Sequence, residues 1–155
     1  MALRIVPVSP RDARAAALLR ESHALMEVLF PPEENFFLDI EALCDPAITL
    51  FGAEEDGVLL GCAALARQDG YAEVKSMFVP PEARGIGVAR RLLVHLEGVA
   101  AGEGIPLLRL ETGDKLAAAV ALYERHGFAR RGPFGRYEPN TSSLFYEKPV
   151  AAAVH

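Results

Sequence analysis

Apolar and polar positions alternate over residues 4–8, which predicts a short first strand. Ser9, Pro10 and Asp12 then read as a helix start: a capping hydroxyl, a proline at the first helical position and an acid in the first turn. The predicted helix runs to about Leu29, with Ala13, Ala17, Leu25, Met26 and Leu29 toward the core. Pro31 and Pro32 stop it, because proline excludes the helical conformation from the residue before it. A shorter second helix is predicted over 35–43, with Phe36, Phe37, Ile40 and Leu43 apolar and Pro46 beyond its end. Two strands follow over 48–53 and 58–67, joined through Asp56-Gly57, a dipeptide that signals a hairpin when it separates apolar runs.

Another turn at 68–70 leads into a strand over 71–79. A helix is predicted from Gly85 to about 101, with Val88, Leu92, Leu96 and Val99 on one face, then a strand over 105–111. A helix over 115–126 carries Leu116, Ala119, Val120 and Tyr123 on one face and is closed by Gly127 as a C-terminal cap. Two last strands, 129–137 and 142–148, are split by Glu138-Pro139-Asn140, and 151–155 read as a frayed tail. The order implies an α/β (α+β) domain, a mixed sheet with helices on its faces.

Composition narrows the classes. The 155 residues are 51% hydrophobic and 24% charged, which suits one compact domain and excludes disorder and collagen-like repeats. No apolar run reaches the ~18 residues of a membrane span. Cys44 and Cys62 lack metal-ligand spacing and, with no leader peptide in view, read as small apolar residues of a cytoplasmic protein. The scattered His23, His95, His126 and His155 make no metal-binding pair, so no metal is expected. The net charge is -5 and there is no basic stripe, which argues against nucleic acid. That charge is unevenly spread. Between Glu21 and Ala66 there is no Lys or Arg, while the same stretch holds ten acids. It reads either as a solvated acidic face or as a region that attracts a cation.

The segment 76–93 carries the chemistry. A strand ends, a proline-bearing loop follows, and a glycine-rich turn (Gly85-Ile86-Gly87) opens a helix. At such a turn several backbone amides lack intrahelical partners and point outward, aided by the helix dipole, which makes a site for phosphate oxygens. Three readings fit: a helix start with no ligand, a dinucleotide fold with Glu111 as a ribose-binding acid, or a coenzyme site. The dinucleotide reading lacks the third glycine, since Arg90 stands there, and its central strand would carry Glu73 and Lys75. No Gly-Lys-Ser/Thr follows, which removes a nucleoside-triphosphate loop, and no Gly-x-Ser-x-Gly elbow is present.

Arg84-x-x-Gly87-x-Ala89 resembles the coenzyme A motif, Gln/Arg-x-x-Gly-x-Gly/Ala, of the GCN5-related N-acetyltransferases (GNAT). Downstream, Leu122-Tyr123 with Gly127-Phe128 is similar to that family's Leu-Tyr…Gly-Phe segment. The resemblance covers about 3–149. It implies a mostly antiparallel sheet of about seven strands flanked by four helices, with the fourth and fifth strands splayed around acetyl-CoA. It implies that the pyrophosphate lies on amides of Arg84, Gly85, Ile86, Gly87, Val88 and Ala89. It places the pantetheine arm along Met77, Phe78 and Val79. An amine then attacks the thioester directly, with Glu73 as the candidate base and Tyr123 as the group that protonates the thiolate.

Many members carry an Asn where this chain has Leu116, so that cofactor contact is expected either to be lost or to come from Thr112 or Asp114. The acceptor, a small-molecule or peptide amine, is expected beside Glu33, Glu34 and Phe36, with Phe134, Tyr137 and Phe145 on the far side. Dimers are common among family members. A non-catalytic acyl-CoA-binding sensor remains the alternative from another class.

Overall fold

The computed structural model describes residues 2–151; the predicted tail lies, from 152 on, outside the described residues. Its elements in chain order are β1 (Arg4–Pro7), α1 (Ala13–Leu29), β2 (Ile48–Glu55), β3 (Val58–Arg67), β4 (Ala72–Phe78), α2 (Val88–Gly102), β5 (Leu107–Gly113), α3 (Ala117–Arg125), β6 (Ala129–Arg131) and β7 (Ser143–Pro149).

The cap of α1 is Asp12 rather than Ser9: its carboxylate accepts the amides of Arg14 at 2.8 Å and Ala15 at 3.5 Å. The Ser9 hydroxyl accepts the Arg11 amide in the turn before it. The buried residues of α1 are Ala15, Ala16, Leu18, Leu19 and Ser22, whereas Ala13 and Ala17, expected inside, are exposed. The Asp56-Gly57 turn forms as read, both residues at positive φ (52° and 79°), as a two-residue hairpin turn requires.

The predicted second helix over 35–43 is not formed. Single helical turns at Pro32–Glu34 and Ala42–Cys44 bracket an irregular stretch. Tertiary contacts override the helical spacing there: the Phe36 carbonyl accepts from Lys75 and Phe37 stacks on His23 at 4.2 Å, while the Asn35 amide group bonds locally to the carbonyls of Phe30 and Pro31. The described chain therefore has three α-helices where four were expected. The predicted strand over 129–137 also shortens, ending at Arg131. Gly132 and Pro133 interrupt the ladder, and Gly135 bends the chain at φ 59°.

Seven strands order as β1-β2-β3-β4-β5-β7-β6, and every neighbour is antiparallel except β4–β5. That parallel pair holds only at Ala72↔Leu108 and Glu73↔Arg109, after which the two strands diverge. A fold built on a parallel sheet, as dinucleotide binding requires, is thereby excluded. One face of the sheet packs α1 through Leu18, Leu19, Leu50, Cys62, Ala64 and Phe78. The other packs α2 and α3 through Leu65, Val74, Leu92, Leu96, Leu108 and Leu110. No helix among the described residues is long and apolar enough to cross a membrane.

Gly61 on β3 sets how closely α2 approaches. A Cβ there would stand 2.9 Å from Val88 Cγ1 and 3.1 Å from the Phe78 carbonyl. Gly61→Ala is expected to overpack this contact at a cost of about 1–3 kcal/mol. For a chain of this size that lowers Tm by roughly 2–4 °C per kcal/mol, readable by calorimetry.

Candidate active site

The glycine turn caps α2 as predicted. Gly85 and Gly87 sit at φ 89° and 83°, the left-handed region, and open space surrounds both, so it is the backbone conformation that demands glycine. Gly87 is the N-cap, and no side chain bonds the first turn. The first backbone bond into the helix from this turn is Arg91 N to Gly87 O at 3.0 Å, which leaves the amides before it free to converge. No acid lies in the first turn to oppose an anion. Arg84 is held beside the turn by donating to the Val79 carbonyl. The residues present therefore suit a pyrophosphate.

Where β4 and β5 part, the sheet opens into a cavity of about 110 Å³. Side chains alternate across a strand, so the packing of Val74, Leu108 and Leu110 against α2 and α3 places Glu73, Lys75 and Glu111 on the opposite face. The cavity accordingly has two sides. Leu116, the N-cap of α3, and Ala119 and Tyr123 on it line one side; Phe36, Lys75 and Glu111 line it from the α1 side, together with Met26 and Phe30. Beyond Glu73 the β5-facing edge of β4 has no strand partner, the place where an extended arm could pair. A bulge interrupts the β3–β4 register there, and Ser76 takes φ 55°.

Glu111 stands half-buried at the end of β5 and accepts the Ser143 hydroxyl at 2.6 Å. Burial lifts its pKa above the ordinary carboxylate value, with the Glu73 charge adding to the rise; the Ser143 bond and the Lys75 charge oppose it. Tyr123 is buried, 5% exposed, and packs edge-on to Phe128 at 5.8 Å. Its burial, and then the charge of Glu111, push its pKa above 10, so the phenol keeps its proton.

Glu73 does not line the cavity. It accepts the Tyr137 hydroxyl and pairs with Lys75 at 3.6 Å, and Lys75 in turn donates to Tyr137 Oη and to the Phe36 carbonyl, both at 2.8 Å. Of the expected acceptor residues, Glu34 and Phe36 reach the cavity. Glu33 is exposed and lies off it, while Phe134 and Phe145, each 5% exposed, pack behind the wall against Tyr137. Glu34 accepts the hydroxyls of Thr141 (2.6 Å) and Ser142 (2.9 Å), and these bonds lower its pKa.

Met77 and Thr112 line the cavity; the Phe78 side chain is buried against α1 instead, leaving only its backbone to serve a ligand. Thr112, not the exposed Asp114, stands beside Leu116. Glu111 and Lys75 escaped the sequence reading as cavity groups. Their common signal is register: two residues past the last β4–β5 pair, Lys75 falls opposite Glu111. Among the described residues no cluster could hold a metal ion, and burial pushes the Cys62 thiol up to about 12, where it is inert.

The sequence pattern of the acetyltransferase (GNAT) family matches residues 16–128. The chain is 44% identical over 144 residues to the IAA acetyltransferase of Azospirillum brasilense, covering 92% of this chain and 94% of that one. It is 35% identical over 140 residues to an uncharacterized N-acetyltransferase of Bacillus subtilis, covering 88% and 93%. A Klebsiella pneumoniae protein described as an acyl-CoA N-acyltransferase superposes with a TM-score of 0.84 at 32% identity, over 96% of this chain and 98% of that one. The PaiA N-acetyltransferase of Thermoplasma acidophilum, solved in complex with coenzyme A, superposes with a TM-score of 0.75 at 21% identity, over 96% and 99%, and shares the fold.

Proposed function

The chain belongs to the acetyltransferase (GNAT) family, and on that premise we propose that it moves the acetyl group of acetyl-CoA directly to the amine of a small molecule or peptide, with Glu111 as base and Tyr123 as the donor to the leaving sulfur. The observation that carries this reading is the two-sided cavity at the β4–β5 split, with a carboxylate on one side and a phenol on the other. The reaction joins the acceptor nitrogen to the acetyl carbon and breaks the carbon–sulfur bond. A primary amine is protonated near neutral pH, and Glu111, with its raised pKa, is suited to take its proton. Bound acetyl-CoA supplies the activated thioester. Amides of Gly85, Gly87 and Val88 hold its pyrophosphate, and the backbone of Met77, Phe78 and Val79 aligns its arm.

Tyr123 donates a hydrogen bond to the departing sulfur. A thiol has pKa about 8.5, so full transfer from a phenol of raised pKa is uphill. The contribution of Tyr123 is charge stabilisation as the bond breaks.

The direct test is thiol release from acetyl-CoA across an acceptor panel of alkyl amines, amino acids and short peptides. IAA belongs in the panel because the Azospirillum relative is named for it. Acceptor-dependent release with acetylated product supports the reading; acetyl-CoA binding without turnover on any acceptor would favour a sensor. Glu34→Gln removes the one cavity carboxylate kept ionised by its hydroxyl partners. It is expected to raise KM for a cationic acceptor and leave that for acetyl-CoA unchanged.

A further inference from the structure

Glu73 and Lys75 are both nearly enclosed, their side chains 9% and 11% exposed, in a stretch of β4 that could have carried apolar residues. Each is pinned. Tyr137 Oη donates to Glu73 and accepts from Lys75, and the Phe36 carbonyl takes a further proton of the ammonium. Neither head group can swing into the path of an acceptor without breaking these bonds. Yet both lie on the same face as Glu111, on the neighbouring strand. The last β4–β5 pair is Glu73↔Arg109, so Lys75 falls opposite Glu111 just as the strands part. Lys75 is also the one cation that lines the cavity.

We infer that Glu73 and Lys75 are a positioning pair: they hold the α1-side wall through Tyr137 and Phe36 and set the charge environment in which Glu111 works, and neither takes the acceptor's proton. The inference rests on Glu111 being the base. The other groups facing Glu111 are Ser143 on β7, which bonds it, Tyr123 on α3, Tyr137 of the loop before β7, and Glu34, which is held by Thr141 and Ser142. Arg109, on its own strand, is engaged by Glu147 at 2.6 Å. Among these groups Lys75 alone brings positive charge to Glu111 and Glu73 alone opposes it from the same strand.

The consequence is a pair of opposite shifts. Lys75→Met strips the favourable charge and leaves Glu73 unbalanced, so the acid limb of kcat/KM against pH moves upward. Glu73→Gln removes the unfavourable charge and moves the limb downward. Each shift is expected to be on the order of one pH unit. The double variant, neutral at both positions, returns the limb close to its original place. Acetyl-CoA Kd, measured by calorimetry on each variant, reports whether the fold is intact. Glu73→Gln, the same shape without the charge, carries the test alone should Lys75→Met lose that binding.

Shifts in the same direction, or no shift in either variant, would overturn the pairing. Loss of the acid limb in Glu73→Gln would overturn it too, by making Glu73 the base. Failure of the underlying reading looks different: there Glu111→Gln itself stays active.

Discussion

Glu111→Gln is expected to lower kcat by about 100- to 10,000-fold, the range for loss of a positioned base, while Kd for acetyl-CoA holds. The substitution keeps the volume of the side chain and the acceptor for the Ser143 hydroxyl. It removes only the ability to bind the acceptor's proton. Thermal stability should move the other way. Burial raises the pKa of Glu111 in the folded chain. A group raised by folding contributes stability below its unfolded pKa and loses that contribution as pH climbs through the folded value. At neutral pH the ionised carboxylate is therefore a burden on the fold, and the amide relieves it. The Tm of the variant should exceed that of the parent at pH 7, and the gap should close as pH falls below about 4. A dead but more stable enzyme is the signature; lower Tm together with lower kcat would point to damage instead.

Tyr123→Phe is expected to cost about 100- to 1,000-fold in kcat, the magnitude for one donor removed from a developing anion. Packing survives, since the ring contact with Phe128 needs no hydroxyl. Acetyl-CoA Kd should stay in place, which separates a transition-state role from a binding one. A donor whose thiol is more acidic needs less help as it leaves, so the deficit should narrow with an aryl thioester. An equal deficit for both donors would remove Tyr123 from the leaving-group side.

Much of the site was legible because its signals are local. The glycine turn is written in Gly85 and Gly87, whose left-handed backbone few other residues adopt. Tyr123 was legible because it recurs with Gly127 and Phe128 in a short motif. The hairpin at Asp56-Gly57 needed only its own dipeptide. What failed was long-range. Residues 35–43 have helical spacing of apolar side chains, but Phe36 is fixed by a lysine 39 positions away and Phe37 by a ring on α1. Glu73 and Glu111 are equivalent letters in two strands. Only the register between β4 and β5, together with Tyr137 from a distant loop, assigns one to a pinned ion pair and the other to the cavity. Glu33 and Glu34 are likewise adjacent in sequence, and only the hydroxyls of Thr141 and Ser142 distinguish them.

The two-pair junction between β4 and β5 divides the molecule dynamically. β2 through β4 close by two short connections, while β5 must wait for β7, thirty or more residues on, before its antiparallel ladder exists. The sheet is thus two ladders sewn together at a short seam, with the core under α2 spanning both. Parting that seam sacrifices few backbone bonds, far fewer than fraying either ladder. Amides on β3 and on β5–β7 should exchange slowly as two separate protected blocks, with faster exchange along the β5-facing edge of β4. The place where donor and acceptor meet is therefore also where the molecule can breathe without unfolding.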